Sequence, residues 1–414
     1  MLPSASLHWL LILAFALLTS GCETTERVLS SAERVAKGRT GRTIIDLAEG
    51  KDLSQIAKRR LNEYARDPES LLRDVQAAQR DFKALYEALG GKVGEKWGKK
   101  EVKLPEQKKY VKYTQNYKSR AIVDFDKGDI LVETVDDQDP RRSLKNAVVT
   151  TLLTPQDPRA VDLFSDKEIV LTGDREPYLL GLVLDQEGQA IRTPSDAEPF
   201  AEYLLSKSGT REVDQEGTKK TATYVTIKMA ANLSHKQAEK YRPVVQQFAE
   251  QYKISPSLVF AIIRTESNFN PYAVSSAPAY GLMQLVPTSG GREAYRKAKG
   301  QDVAPSRDYL FDPENNVELG TAYLNVLMFN QLEAVEHHVS REYCVISAYN
   351  TGPSNVFRTF SRDRVAAVNQ INSLQPAAVY DQLRANLPYE ETRHYLQKVT
   401  TYRKTFASST EHSN

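Results

Sequence analysis

Cysteine is almost missing from this chain of 414 residues: there are two, Cys22 and Cys344. That count excludes a disulfide-stapled scaffold, and no zinc-type cysteine spacing occurs. Charge of one sign is missing too. Lys and Arg number 55 against 53 Asp and Glu, a formal +2, which excludes the strongly basic balance of a dedicated nucleic-acid binder. There is no P-loop and no Rossmann glycine fingerprint, no low-complexity tract and no internal repeat. His337 and His338 are adjacent, so on a helix they face different directions and make a poor metal pair. No metal and no cofactor is therefore expected. The composition, 41% hydrophobic and 26% charged, is that of a globular protein, and the length favours two domains.

Long hydrophobic runs are also scarce. The one that stands out, Leu7 to Leu18, reads LHWLLILAFALL. A membrane-spanning helix needs ~20 apolar residues, so this run reads as a signal-peptide core. Thr19-Ser20-Gly21-Cys22 follows, and the whole resembles a bacterial lipoprotein signal. That resemblance implies loss of residues 1–21 and lipidation of Cys22; a plain secretory signal is the other reading. Two acyl chains suffice for stable anchoring. Glu23 stands where Asp often marks inner-membrane retention, which favours an outer-membrane anchor with the protein facing the periplasm. Residues 22–60 are polar and suit a tether. Cys344, in the apolar stretch REYCVISAY, reads as a small core residue.

From about Leu61 to Leu89 the apolar positions follow helical spacing. Lys92 to Arg120 holds nine Lys and one Arg against three Glu, interleaved with Trp97, Tyr110, Tyr113 and Tyr117. A polyanion could bind such a stretch, but a solvated face or loop is the simpler expectation. Ala121–Phe125 and Ile130–Thr134 flank Asp126-Lys127-Gly128-Asp129, a hairpin with Gly in its turn. Leu144–Leu153 predicts a helix. SKSGTREVDQEGTKK predicts a loop, and Thr223–Met229 alternates as a strand. Helices and antiparallel strands thus mix up to about residue 232, an α+β pattern. From 233 to 414 helix signals dominate. The expected division is an α+β accessory domain over 61–232 and a mainly α domain over 233–414.

Ser255-Pro256 opens a helix, with Ser expected to cap it and Pro at its first position. Val259, Ile263 and Glu266 then fall at i, i+4 and i+7, so a carboxylate closes an apolar stripe. Asn268, Asn270 and Pro271 stop the helix. Such a carboxyl should be partly desolvated and its pKa raised, as a general acid near neutral pH requires. A structural Glu paired with Arg264 fits the local pattern equally well.

Four stretches in order, TESNFNPYAVSS, GLMQLVP, ISAYNTGP and LPYEETRHYLQKV, resemble the motifs of the lytic transglycosylase family related to goose-type lysozyme. The resemblance runs from about Val244 to Tyr402. It implies a lysozyme-like catalytic domain in which Glu266 is the acid/base and Ser275 lies near it. It further implies that Gly281, Met283 and Gln284 belong to a sugar-contacting loop, that Tyr349 and Asn350 line the cleft, and that Glu391 and Tyr395 face it from one helix. Ser276–Tyr280 stands where a small, Gly-containing run is common. The implied partner is the peptidoglycan glycan strand, with membrane contact through the lipid anchor, no nucleic acid, and the oligomeric state left open. The implied reaction cleaves the MurNAc–GlcNAc β-1,4 bond and leaves a 1,6-anhydro end. A goose-type lysozyme-like hydrolase and a non-catalytic wall-binding lipoprotein remain the alternatives.

Overall fold

The computed structural model describes residues 68–171 and 175–410. The signal segment 1–21, Cys22, the 22–60 tether and the first residues of the expected opening helix lie outside these. From Phe82 onward the chain forms one compact unit.

Helix α1 (Pro68–Trp97) runs past its expected end at Leu89, through Gly90, Gly91 and Gly94. Leu89, Val93 and Trp97 are buried on one face. Burying such side chains contributes ~2 kcal/mol each, which outweighs about 1 kcal/mol lost per interior glycine. There follow β1 (Lys109–Thr114), β2 (Ser119–Asp124) and β3 (Asp129–Thr134), then α2 (Pro140–Leu152), α3 (Pro194–Leu205), β4 (Gly209–Gln215) and β5 (Thr218–Lys228). The five strands form an antiparallel sheet in the order β1-β2-β3-β5-β4. The expected β2–β3 hairpin is present, and the Gly128 N–H closes its turn on the Asp124 carbonyl.

Two segments differ from expectation. Part of the basic stretch is β1, a mostly buried strand. Its Lys112 is 3% exposed and donates to the Ser165 carbonyl at 2.8 Å. The expected loop over residues 206–220 is instead the β4–β5 hairpin, turning through Glu216 and Gly217 with φ of 51° and 91°. Only Val213 of β4 is buried, so the strand carries almost no apolar alternation to reveal it. Arg120 is 1% exposed beneath the sheet. Its Nε donates to Glu133 at 2.8 Å, its guanidinium lies 3.9 Å from the Trp97 ring centroid, and Arg211 joins the same Glu133 at 2.9 Å.

Beyond β5 the described residues contain no further strand: α4 (Leu233–Tyr252), α5 (Pro256–Glu266), α6 (Gly290–Lys299), α7 (Arg307–Phe311), α8 (Pro313–Val326), α9 (His338–Thr351), α10 (Pro353–Phe360), α11 (Arg364–Ser373), α12 (Pro376–Asn386) and α13 (Glu390–Thr410). The fold is thus an α+β region followed by a mainly α one, as the sequence pattern indicates. Helix α5 is its axis. Leu258 to Ile263 are essentially inaccessible, packed by α4 on one side and α13 on the other, where the Phe260 and Phe406 rings stack at 5.3 Å. Pro256 opens α5 as expected, but Ser255 makes no side-chain cap. Its hydroxyl bonds the Ser257 hydroxyl at 2.8 Å instead.

Candidate active site

Glu266 is the last residue of α5 and is 9% exposed. Its Oε1 accepts the Tyr395 hydroxyl at 2.7 Å. Tyr395 reaches it from α13, which lies along α5. Burial pushes the Glu266 carboxyl up to about 8; the Tyr395 hydrogen bond works against that rise, the Glu391 carboxylate adds to it, and the Lys108 ammonium opposes it. Desolvation wins because ionisation inside the protein forfeits more hydration than one hydroxyl returns. The pairing with Arg264 does not form. That guanidinium lies over the Tyr402 ring, 4.1 Å from its centroid.

The loop following the first motif is built around Asn316 of α8. Its Nδ2 donates to the carbonyls of Tyr280 and Leu310, both at 2.8 Å, and its Oδ1 accepts the Met283 N–H at 2.7 Å. Gly281 sits against this amide with φ +75°; a Cβ there would lie 2.4 Å from Asn316 Nδ2. Only glycine fits. Gln284, with φ +49°, donates from Nε2 to the carbonyls of Ala273 and Gly281 at 3.0 and 2.9 Å. Its buried Oε1 has no hydrogen-bond partner.

The tyrosines and amides of the later motifs converge on the same place. Tyr349 donates to the Met283 carbonyl at 2.8 Å. Asn350 accepts the Thr392 hydroxyl at 2.6 Å, tying α9 to α13. Glu391 is exposed one helical turn before Tyr395. One side chain is turned otherwise than its motif suggests. Met283 is fully buried with its sulfur against Gly320, so it offers its backbone carbonyl rather than a sugar-facing side chain. The Ser275 hydroxyl bonds the Ala277 carbonyl within its own loop. The unusual Ser276–Tyr280 run has a packing reason. Tyr280 meets Phe311 at 5.4 Å and Phe82 of α1 at 6.0 Å, edge to face.

Sequence reasoning missed Lys108, Thr392 and Asn316. Lys108 is one lysine among many, and Asn316 reaches Tyr280 and Met283 from 36 and 33 positions away.

Residues 68–240 match the family model described as the N-terminal domain of membrane-bound lytic murein transglycosylase C, and residues 243–372 match that of the transglycosylase SLT domain. Glu391 and Tyr395 lie beyond the second match. Among curated relatives, the membrane-bound lytic murein transglycosylase C of Yersinia enterocolitica is 41% identical over 83% of this chain and 94% of its own. Its namesake from Pectobacterium atrosepticum is 43% identical over 82% and 93%, and that from Klebsiella pneumoniae 44% over 75% and 85%. Identity at this level across both matched regions means that the chain belongs to the membrane-bound lytic murein transglycosylase C family.

Proposed function

We propose that this protein cleaves the β-1,4 bond between N-acetylmuramic acid and N-acetylglucosamine in peptidoglycan, closing a 1,6-anhydro ring on the muramic residue. The observation that carries this reading is the Glu266 carboxyl, buried and raised to about 8, and hydrogen-bonded by Tyr395. At neutral pH it holds the proton that a departing sugar oxygen needs.

In the first step Glu266 gives its proton to the glycosidic oxygen as the bond from muramic C1 to that oxygen breaks. In the second, the C6 hydroxyl of the same sugar attacks C1, and its proton passes to the Glu266 carboxylate. One carboxyl serves as acid and then base, and no water is consumed. Retaining glycosidases use a second carboxyl ~5 Å away as nucleophile. An internal hydroxyl makes that unnecessary, because its effective concentration far exceeds that of a free reactant. Tyr395, by donating to Oε1, steadies the ionised form between the steps. Gln284, Tyr349 and Asn350, with Gly281, Ser275, Glu391 and the Met283 backbone, line the cleft and orient the sugars.

The relatives are named membrane-bound, and among the described residues no helix is long and apolar enough to cross a membrane. Diacylation of Cys22 would supply the attachment, at the outer membrane and facing the periplasm. Residues 61–232 would form the accessory domain and 233–414 the lysozyme-like catalytic domain. Mass analysis of soluble products from purified sacculi tests the chemistry. Anhydro ends from the wild type and none from Glu266→Gln are expected. Products heavier by one water would show hydrolysis, and cleavage retained by Glu266→Gln would remove Glu266 from its role.

A further inference from the structure

The residues directly after Glu266 have a backbone that their side chains do not favour. Asn268 and Phe269 are consecutive left-handed residues, with φ of 46° and 63°. Asn tolerates this region, but a bulky aromatic there is an outlier. Such strain persists only where surrounding structure over-determines the conformation.

The Phe269 ring packs against Tyr241, Phe260 and Phe406 of the helical region, but the polar groups of the turn are held by the N-terminal α+β region. Asn268 is 6% exposed, and its Nδ2 donates to the Phe125 carbonyl at 2.6 Å and to Asp126 Oδ1 at 3.2 Å, both in the β2–β3 turn. The Tyr178 hydroxyl donates to the Phe269 carbonyl at 2.8 Å and is itself held by Gln237 at 3.0 Å. Asn270 Nδ2 donates to the Gln107 carbonyl at 3.1 Å, and Tyr272 donates to the Pro155 carbonyl. Five hydrogen bonds thus bind four of the residues 268–272 to main-chain and side-chain groups more than 90 positions upstream. Each is a buried or half-buried bond whose loss strands a polar group. Asp126 also holds Lys108 at 3.4 Å, and Lys108 is among the charges that Glu266 feels.

We infer that Asn268 is a positioning residue for Glu266, latching the turn after it to the β2–β3 hairpin, so that the N-terminal region is a working part of the catalytic apparatus. The inference rests on the proposed role of Glu266. A displaced latch lets the last turn of α5 relax. That moves the carboxyl away from the scissile bond and admits water to it. Misplacement of a reacting group by ~1 Å costs up to about 100-fold in rate.

The test is Asn268→Gly in the full chain, since glycine keeps the left-handed conformation at no steric cost while removing both hydrogen bonds. The turnover of sacculi should fall roughly 10- to 100-fold with KM changed less than about 2-fold. A second readout is the titration of the Glu266 carboxyl by carbon-13 NMR. Its midpoint should drop from about 8 toward the ordinary carboxylate range. Of the groups that bear on it, Tyr395, Glu391 and Tyr349 are not touched by the substitution, and a Lys108 released with Asp126 would raise the midpoint as it moved away, so a drop reports water entry. A lesion acting only through overall stability would leave that midpoint in place. Asn268→Asp, which tolerates the same φ but cannot donate to the Phe125 carbonyl, should be impaired at least as much. Wild-type turnover with an unmoved midpoint in Asn268→Gly would overturn the inference. Should that variant not fold, Tyr178→Phe decides instead: a lowered turnover and midpoint support the latch, and unchanged values overturn it. Glu266→Gln assayed alongside separates the two readings, because cleavage by that variant would refute the role of Glu266 itself.

Discussion

Replacing Glu266 with Gln should abolish cleavage and, near neutral pH, make the protein more stable. In the folded chain the carboxyl keeps its proton up to about 8, whereas an ordinary glutamate releases it near 4.5. Between those values the unfolded state is ionised and the folded state is not, so rising pH favours unfolding by about 1.4 kcal/mol per pH unit. The stability that the protonated group contributes is fully present below about 4.5 and is lost progressively as pH climbs to about 8. By pH 7 the loss is on the order of 3 kcal/mol. Glutamine has no such loss. It can still accept the Tyr395 hydroxyl, but its Nε2 gains no evident acceptor, which costs about 1 kcal/mol. The net expectation at pH 7 is a gain of about 2 kcal/mol, or roughly 4 °C in Tm for a chain this large. Calorimetry or circular-dichroism melts of both proteins from pH 4 to 9 make the comparison. The difference in Tm should be near zero or slightly negative at the acid end, grow through the middle of the range, and level off above about 8. A difference that stays flat between pH 5 and pH 8 would refute the claim that Glu266 is held protonated by burial. Such a residue destabilises the fold that carries it, which is expected where chemistry sets its identity.

Other consequences can be measured independently. Tyr395→Phe removes the donor at 2.7 Å; the Glu266 pKa should rise further, turnover should fall about 10-fold, and the alkaline limb of the pH–rate profile should move upward. Gly281→Ala drives a methyl group into Asn316 and the Leu310 carbonyl, so a loss of 3 kcal/mol or more is expected on melting. Glu133→Gln leaves Arg120 and Arg211 short of a buried carboxylate, and urea titration should register a loss of about 3–5 kcal/mol. Cys22→Ser should release the protein from the membrane fraction on cell fractionation, with cleavage of purified sacculi unchanged.

What could be read in the sequence was what is local. Glu266 closes an apolar stripe within eleven residues of helix, and the β2–β3 hairpin announces itself through a turn glycine between β-branched runs. The β4–β5 hairpin did not, because the face that β4 turns inward carries Gly209, Arg211, Val213 and Gln215, a set with almost no apolar alternation to display. Lysine content pointed away from β1, although Lys112 spends its charge on the Ser165 carbonyl and the rest of the strand is core. Met283 looked sugar-facing because its motif touches sugar. Which way a side chain turns in a loop between left-handed residues depends on Asn316, 33 positions later. The latch on Asn268 was the least legible of all: its acceptor lies 143 residues away, and an asparagine after a helix reads simply as a stop.

The bond between Tyr395 and Glu266 spans 129 residues and joins α5 to α13, the last helix among the described residues. Contacts so far apart form late, after the loop between them has closed. During synthesis the carboxyl therefore exists for a long interval without the hydroxyl that steadies it and without α13 to keep water away. On the proposed role of Glu266, the centre is incomplete until the C-terminal helix docks against α5.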